Sequence, residues 1–178
     1  RLSSAAAPPV AAPDYIEPVV AWRMWRVVER DGVVMLRSLF QDADWPALEP
    51  LAARCTVPRL VPWRWVRERH PAPTVNCTCG IYAAPWEVIA PEVKRVMGSR
   101  RPKIVVGQVS LWGTVVEAER GWRASFAYPR SLFVPFSGKG DPFDQFRLLS
   151  GLERYEIETE LVDLGSLAPR LADIARQA

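Results

Sequence analysis

KIVVGQVSLWGTVVEAERGWRASFAYP, residues 103–129, decides the fold. Val105, Gly107, Val109, Leu111, Gly113, Val115 and Glu117 fall on one parity; Val106, Gln108, Ser110, Trp112, Thr114 and Val116 fall on the other. β-Branched residues dominate, which predicts one long strand, or two strands joined at a bend. Gly107 and Gly113 would allow a bulge or sharp coil, as the corners of small barrels require. The chain reverses at Arg120-Gly121. Residues 122–128 return as a strand ended by Pro129, and residues 131–136 form another short one.

Upstream, residues 18–30, Asp31-Gly32 and the run VVMLRSLF read as strand, turn and strand, a strong hairpin signal. Residues 42–54 read as a short helix capped by Asp42 or Asp44 and ending near Cys55. Residues 56–80 carry Pro58, Pro62, Pro71 and Pro73 and read as irregular, so something should tie them down. Residues 85–97 form a short helix with Gly98 as its stop. Downstream, residues 142–154 form a helix with apolar spacing at Phe143, Phe146 and Leu149. Residues 155–164 alternate as a strand, and residues 166–178 form an amphipathic helix capped by Ser166.

This order has no βαβ rhythm and no repeat. It predicts an α+β domain: a strongly bent antiparallel sheet or a small, partly open β-barrel, with short flanking helices and a zinc-tethered Pro-rich segment. Residues 1–14 read as a flexible Ala/Pro arm and residues 15–178 as a single domain.

Composition agrees. Of 178 residues, 49% are hydrophobic and 24% charged, which excludes a disordered chain. No apolar run approaches the roughly 20 residues of a membrane-spanning helix. The 17 prolines argue against a helical bundle. The Ala/Pro arm lacks the uninterrupted apolar stretch of a signal peptide, which points to a cytoplasmic location. Three cysteines without a pairing scheme argue against a secreted disulfide scaffold.

Those cysteines carry the chemistry. Cys55, His70, Cys77 and Cys79 are every Cys and His in the chain, and all fall within 25 residues. Three Cys and one His make a complete tetrahedral set for structural zinc. Cys77 and Cys79, two apart in an extended segment, share a face. Gly80 lets the backbone turn in close, where amides can donate to a thiolate. The alternatives are three buried, unlinked thiols beside a surface His, or a Cys-His catalytic pair, which competes with zinc for the same side chains.

Two further groups are candidates. The net charge of +3 is uneven: residues 54–103 carry +7, while residues 141–178 carry −4. Within the basic stretch, Arg59, Arg64, Arg67 and Arg69 interleave with Trp63 and Trp65, a pattern suited to stacking bases and contacting phosphates. Core tryptophans with solvated arginines are the alternative. In the second group, Glu117 and Glu119 lie across the hairpin from Arg123, which predicts a Glu–Arg cross-strand pair. Read as an enzyme, one Glu is a general base and Arg123 an anion clamp; read structurally, the three form a surface ladder.

The pieces H-P-A-P-x₃-C-x-C-G-I-Y-A (70–83), G-Q-V-S-L-W-G-T-V-V-E (107–117) and G-W-R-A-S-F-A-Y-P (121–129) resemble a group of small uncharacterised proteins, mostly from actinobacteria and their phages. In that group a preceding Cys, matched here by Cys55, accompanies the same His and C-x-C. The resemblance implies that Cys55, His70, Cys77 and Cys79 act as a unit, and it brings no reaction with it. The expected function is a zinc-stabilised binding or accessory module, associated with nucleic acid or part of a nucleoprotein or defence assembly. Arg123 joins the basic residues as a candidate contact. A protein-docking subunit with a Trp-rich face is the second reading, and a hydrolase or transferase using Glu117, Glu119 and Arg123 the third. No membrane partner and no organic cofactor are expected.

Overall fold

In chain order the strands are β1 (Val19–Arg30), β2 (Val33–Ser38), β3 (Asp44–Trp45), β4 (Leu51–Ala52), β5 (Arg59–Val61), β6 (Arg64–Val66) and β7 (Ile81–Ala83). After α1 (Trp86–Met97) come β8 (Ile104–Ala118), β9 (Gly121–Phe136), α2 (Pro142–Leu152), β10 (Glu158–Asp163) and α3 (Leu167–Gln177). These come from a computed structural model that describes residues 17–56, 59–61, 64–66, 70–97, 103–136 and 142–177. The arm at 1–14 lies outside the described residues. Among those residues no helix is long and apolar enough to cross a membrane.

The fold is α+β, most of it one open sheet with the order β10-β9-β8-β1-β2-β3; β4 and β7 also pair with β9. The long strand read from residues 103–119 is β8, one unbroken 15-residue strand. Its register against β9 slips between Trp112 and Val115, around Gly113, as a bulge. Asp31-Gly32 closes the β1–β2 hairpin as expected.

The sheet does not close into a barrel. Its outer strands are β3 and β10, and it is covered on both faces instead. Trp25, Leu36, Trp45, Val105, Val109 and Leu111 pack on one side with Leu148 and Leu152 of α2. Trp22, Met24, Val106 and Phe133 pack on the other against Trp86 and Val93 of α1 and Leu167 and Leu171 of α3. Covering both faces by helices removes water without closure, and it explains why both parities of β8 are apolar in its first half.

The structure corrects several expectations. Residues 122–128 and 131–136 are one strand, β9, which runs through Pro129. The proline sits where the β8 register slips, between Gln108 and Val109. On β9's other side β4 ends at Ala127 and β10 begins at Ser131, so its missing N–H breaks no ladder there. β10 pairs with β9 in parallel, so β9, α2 and β10 form a βαβ unit in a chain expected to lack one. Tyr155, expected to open this strand, instead ends a 3₁₀ turn at Glu153–Tyr155, and the strand begins at Glu158. α2 buries Leu148 and Leu152, four apart, while Phe143 and Phe146 of the expected apolar face are 70% and 68% exposed. The Ser166 hydroxyl donates to the Asp163 carbonyl rather than capping α3.

No helix forms at 42–54. Asp42 and Asp44 pair with Arg37, and Asp44 also with Arg30, so neither caps anything. Leu48 has φ +62°, which no helix tolerates. Two buried tyrosines hold the segment extended. The Tyr155 hydroxyl donates to the Trp45 carbonyl at 2.7 Å and accepts from the Leu36 amide at 2.8 Å. The Tyr128 hydroxyl donates to the Tyr155 carbonyl and accepts from the Leu48 amide, each at 2.9 Å. Burial pushes the Tyr155 pKa up to about 12 and raises that of Tyr128, so both hydroxyls remain donors.

Candidate metal centre

The first half of β9 anchors the segments that carry the three cysteines. β4 pairs with it at Phe126 and Ala127, and the Ala53 amide donates to the Ser125 carbonyl at 2.7 Å, which places Cys55 just beyond. β7 pairs with it from Trp122 to Ala124, which places Cys77 and Cys79 just before. Between them, β5 and β6 form a separate antiparallel ladder, so the stretch read as irregular is partly a β-ribbon. Cys55 stands four residues before β5 and His70 four after β6.

The four side chains converge. One ligand atom from each of Cys55, His70, Cys77 and Cys79 lies within 4.8 Å of all the others. The Cys55 and Cys77 sulfurs are 3.7 Å apart. That is far beyond a disulfide of about 2.05 Å. It matches the edge of a tetrahedron with metal–sulfur bonds of about 2.3 Å, roughly 3.8 Å. All four residues expected at a metal site are therefore brought together, in an arrangement able to hold a metal ion.

Local chemistry prepares the donors. The Cys77 thiol is pulled down to about 7, first by a hydrogen bond from the Cys79 backbone and then by His70, Cys79 and Cys55. This is the amide-to-thiolate contact expected from the C-x-C-G spacing. Burial pushes the Cys79 thiol up. His70 Nδ1 lies 2.8 Å from the Pro71 carbonyl. A carbonyl only accepts, so Nδ1 donates here, and Nε2 is the nitrogen that would ligate a metal.

Arg123 is not where the sequence placed it. Its cross-strand neighbour is Val116, Glu117 faces Trp122, and no Glu–Arg pair forms with Glu117 or Glu119. The side chain instead turns into the loop that carries Cys77 and Cys79, 7% exposed. Its Nη1 donates to the carbonyls of Thr74 (3.3 Å), Cys77 and Cys79 (3.0 Å). Ser125 Oγ donates to the Ala72 carbonyl at 2.9 Å. The Tyr82 hydroxyl donates to the Thr78 carbonyl between the two cysteines, and its ring lies 5.9 Å from the Arg123 guanidinium. Gly80 has φ +121°, and a Cβ there would meet both Arg123 and Pro73 at 3.0 Å. The loop thus folds around one buried guanidinium. Ser125 and Tyr82 were missed as site residues, and Arg123 was expected as an anion clamp or nucleic-acid contact rather than as the anchor of this loop; for Arg123 and Ser125 the G-W-R-A-S motif held the signal, since both are polar in a mostly apolar stretch of strand.

This arrangement predicts that Arg123→Met lowers metal affinity by roughly 10- to 100-fold, the usual cost of losing a group that orients metal ligands. Competition with a chromophoric chelator would show it, and Arg123→Lys should restore part of it.

Of the basic candidates, Arg59, Arg64 and Trp65 lie on the β5–β6 ladder. Trp63, Arg67 and Arg69 lie outside the described residues. Trp22, Trp25, Trp45, Trp86 and Trp112 are in the core. No family model matches the chain, and neither does any curated protein or solved structure.

Proposed function

We propose that the chain is a zinc-stabilised binding module whose metal holds a basic β-ribbon for contact with nucleic acid. The observation that carries this reading is the convergence of three thiols and one imidazole, with Cys55 and His70 flanking the ribbon. Three thiolates and a neutral histidine suit zinc, and four protein ligands leave it no open position, so the metal is structural and not catalytic. The zinc centre carries a net charge of −1, and Arg123 supplies the opposing charge through the loop that bears two of the thiolates.

Residues 59–69 hold four arginines, one glutamate and two tryptophans. Tethered at both ends, such a ribbon loses less conformational entropy on binding a polyanion. A hydrolase or transferase built on Glu117, Glu119 and Arg123 draws no support, since the loop carbonyls occupy Arg123. A docking subunit with a Trp-rich face draws little, because five of the eight tryptophans are core residues.

Titration with a labelled single-stranded oligonucleotide across a salt series tests the proposal. Binding should weaken as salt rises, and replacing Arg64 and Arg67 by Ala should flatten the slope of log K against log salt by roughly 0.7 for each phosphate no longer neutralised. Absence of wild-type binding at low salt would overturn it.

A further inference from the structure

β1 changes partners midway. β2 pairs with it from Trp25 onward, where Ser38 ends β2, and Ala84 bridges to it at Trp22. Arg23 and Met24 fall in the interval between these partners. An apolar groove of about 530 Å³ opens there, between residues 39–41 and α1. That volume is in the range of small-molecule sites, roughly 300–1,000 Å³. Leu39, Phe40, Val88 and Ile89 line it, and the Phe40 side chain is 90% exposed.

Arg23 also lines the groove, and it is the anomaly of this site. Its Nη2 donates to Ser38 Oγ at 3.1 Å, and its Nη1 donates to the Tyr82 carbonyl. Its guanidinium lies 5.1 Å from the centre of the Trp45 ring. Its Nε is buried without a hydrogen-bond partner. Among the described residues no carboxylate pairs with it. Burial alone lowers its pKa to about 10, without an opposing charge to raise it again. A half-buried cation with spare donors and only neutral partners is well placed to take an anion. The four N–H groups on Nη1 and Nη2 meet two acceptors here, so the one left on each can fork onto a carboxylate.

We infer that this groove binds a small amphipathic monocarboxylate, its carboxylate on Arg23 and its apolar body along Leu39, Phe40, Val88 and Ile89. Arg120 also lines the groove but is exposed, so Arg23 is its half-buried guanidinium, and one such group matches a single negative charge. Glu92 on the groove wall is already paired with Arg95, and it would oppose a more highly charged anion.

Calorimetric titration of the full chain with sodium octanoate, and in parallel with 1-octanol, tests this. Octanoate should bind saturably at one site, and octanol at least about tenfold more weakly. Arg23→Met should erase that difference. Should Arg23→Met fail to fold, Phe40→Glu decides. It alters an exposed side chain, so the melt should stay near wild type while octanoate binding weakens by roughly tenfold. Octanol binding as tightly as octanoate, no saturable octanoate binding, or wild-type octanoate affinity in Phe40→Glu would each overturn the inference.

Discussion

Cys77→Ser should abolish stoichiometric zinc binding and lower the melting temperature by roughly 10 °C or more. The wild-type protein, purified without chelator, should carry about one equivalent of zinc. In a site made only on folding, metal-binding free energy becomes folding free energy. For a chain of this size each kcal/mol moves the melting temperature by roughly 2–4 °C, so a loss of about 3–4 kcal/mol gives such a shift. Cys77 is the most exacting position to change. Its thiol is the one pulled down to about 7, its sulfur is 3.7 Å from that of Cys55, and its carbonyl receives Arg123. A strong chelator should reproduce the shift in the wild type and leave the variant unmoved. Acidification should act in the same direction, because a thiol with a lowered pKa is a thiolate above about 7 and takes up a competing proton below it. Less than about a tenth of an equivalent of zinc in the wild type, or a wild-type melt in Cys77→Ser, would refute the structural-zinc reading.

Gly121→Val should be comparably damaging for a wholly steric reason. Gly121 has φ +139°, and a Cβ built there would lie 2.3 Å from the Ala83 carbonyl oxygen and 2.8 Å from the Ala84 Cα. Both are backbone atoms, one in β7 and one held to Trp22 by paired hydrogen bonds, so neither can give way. Strain of this kind, at a conformation a β-branched residue cannot adopt, costs about 3 kcal/mol or more. The melting temperature should fall by roughly 6–12 °C. Glu117→Gln, at an exposed position without the expected arginine partner, should stay within about 0.5 kcal/mol of wild type. Should Gly121→Val melt like the wild type, the β8–β9 register and the seat of β7 are wrong together.

The same glycine shows where local sequence stops being sufficient. The reversal near Arg120-Gly121 was legible, but its details were not. Ala118 pairs with Gly121, so the turn residues are Glu119 and Arg120, and Gly121 is the first residue of β9. The glycine is required by β7 crowding against it from 38 residues upstream, which no local pattern encodes. Pro129 teaches the converse. Read locally it ends a strand, yet the gap between β4 and β10 leaves its missing N–H nothing to break.

By itself the sequence determined the two hairpins, the long β8, α1 and α3, because these rest on side-chain periodicity and turn chemistry between near neighbours. It also determined the four candidate metal ligands, since no other Cys or His exists in the chain. Only the tertiary structure decided that the sheet stays open, that β10 joins it in parallel, and that residues 42–54 are held extended by Tyr128 and Tyr155. It alone moved Arg123 from a surface ladder into the loop that carries Cys77 and Cys79. The physical reason is common to all of these. Each is settled by burial and hydrogen bonding between segments tens of residues apart, where a guanidinium or hydroxyl takes whichever carbonyls the packed chain leaves without partners.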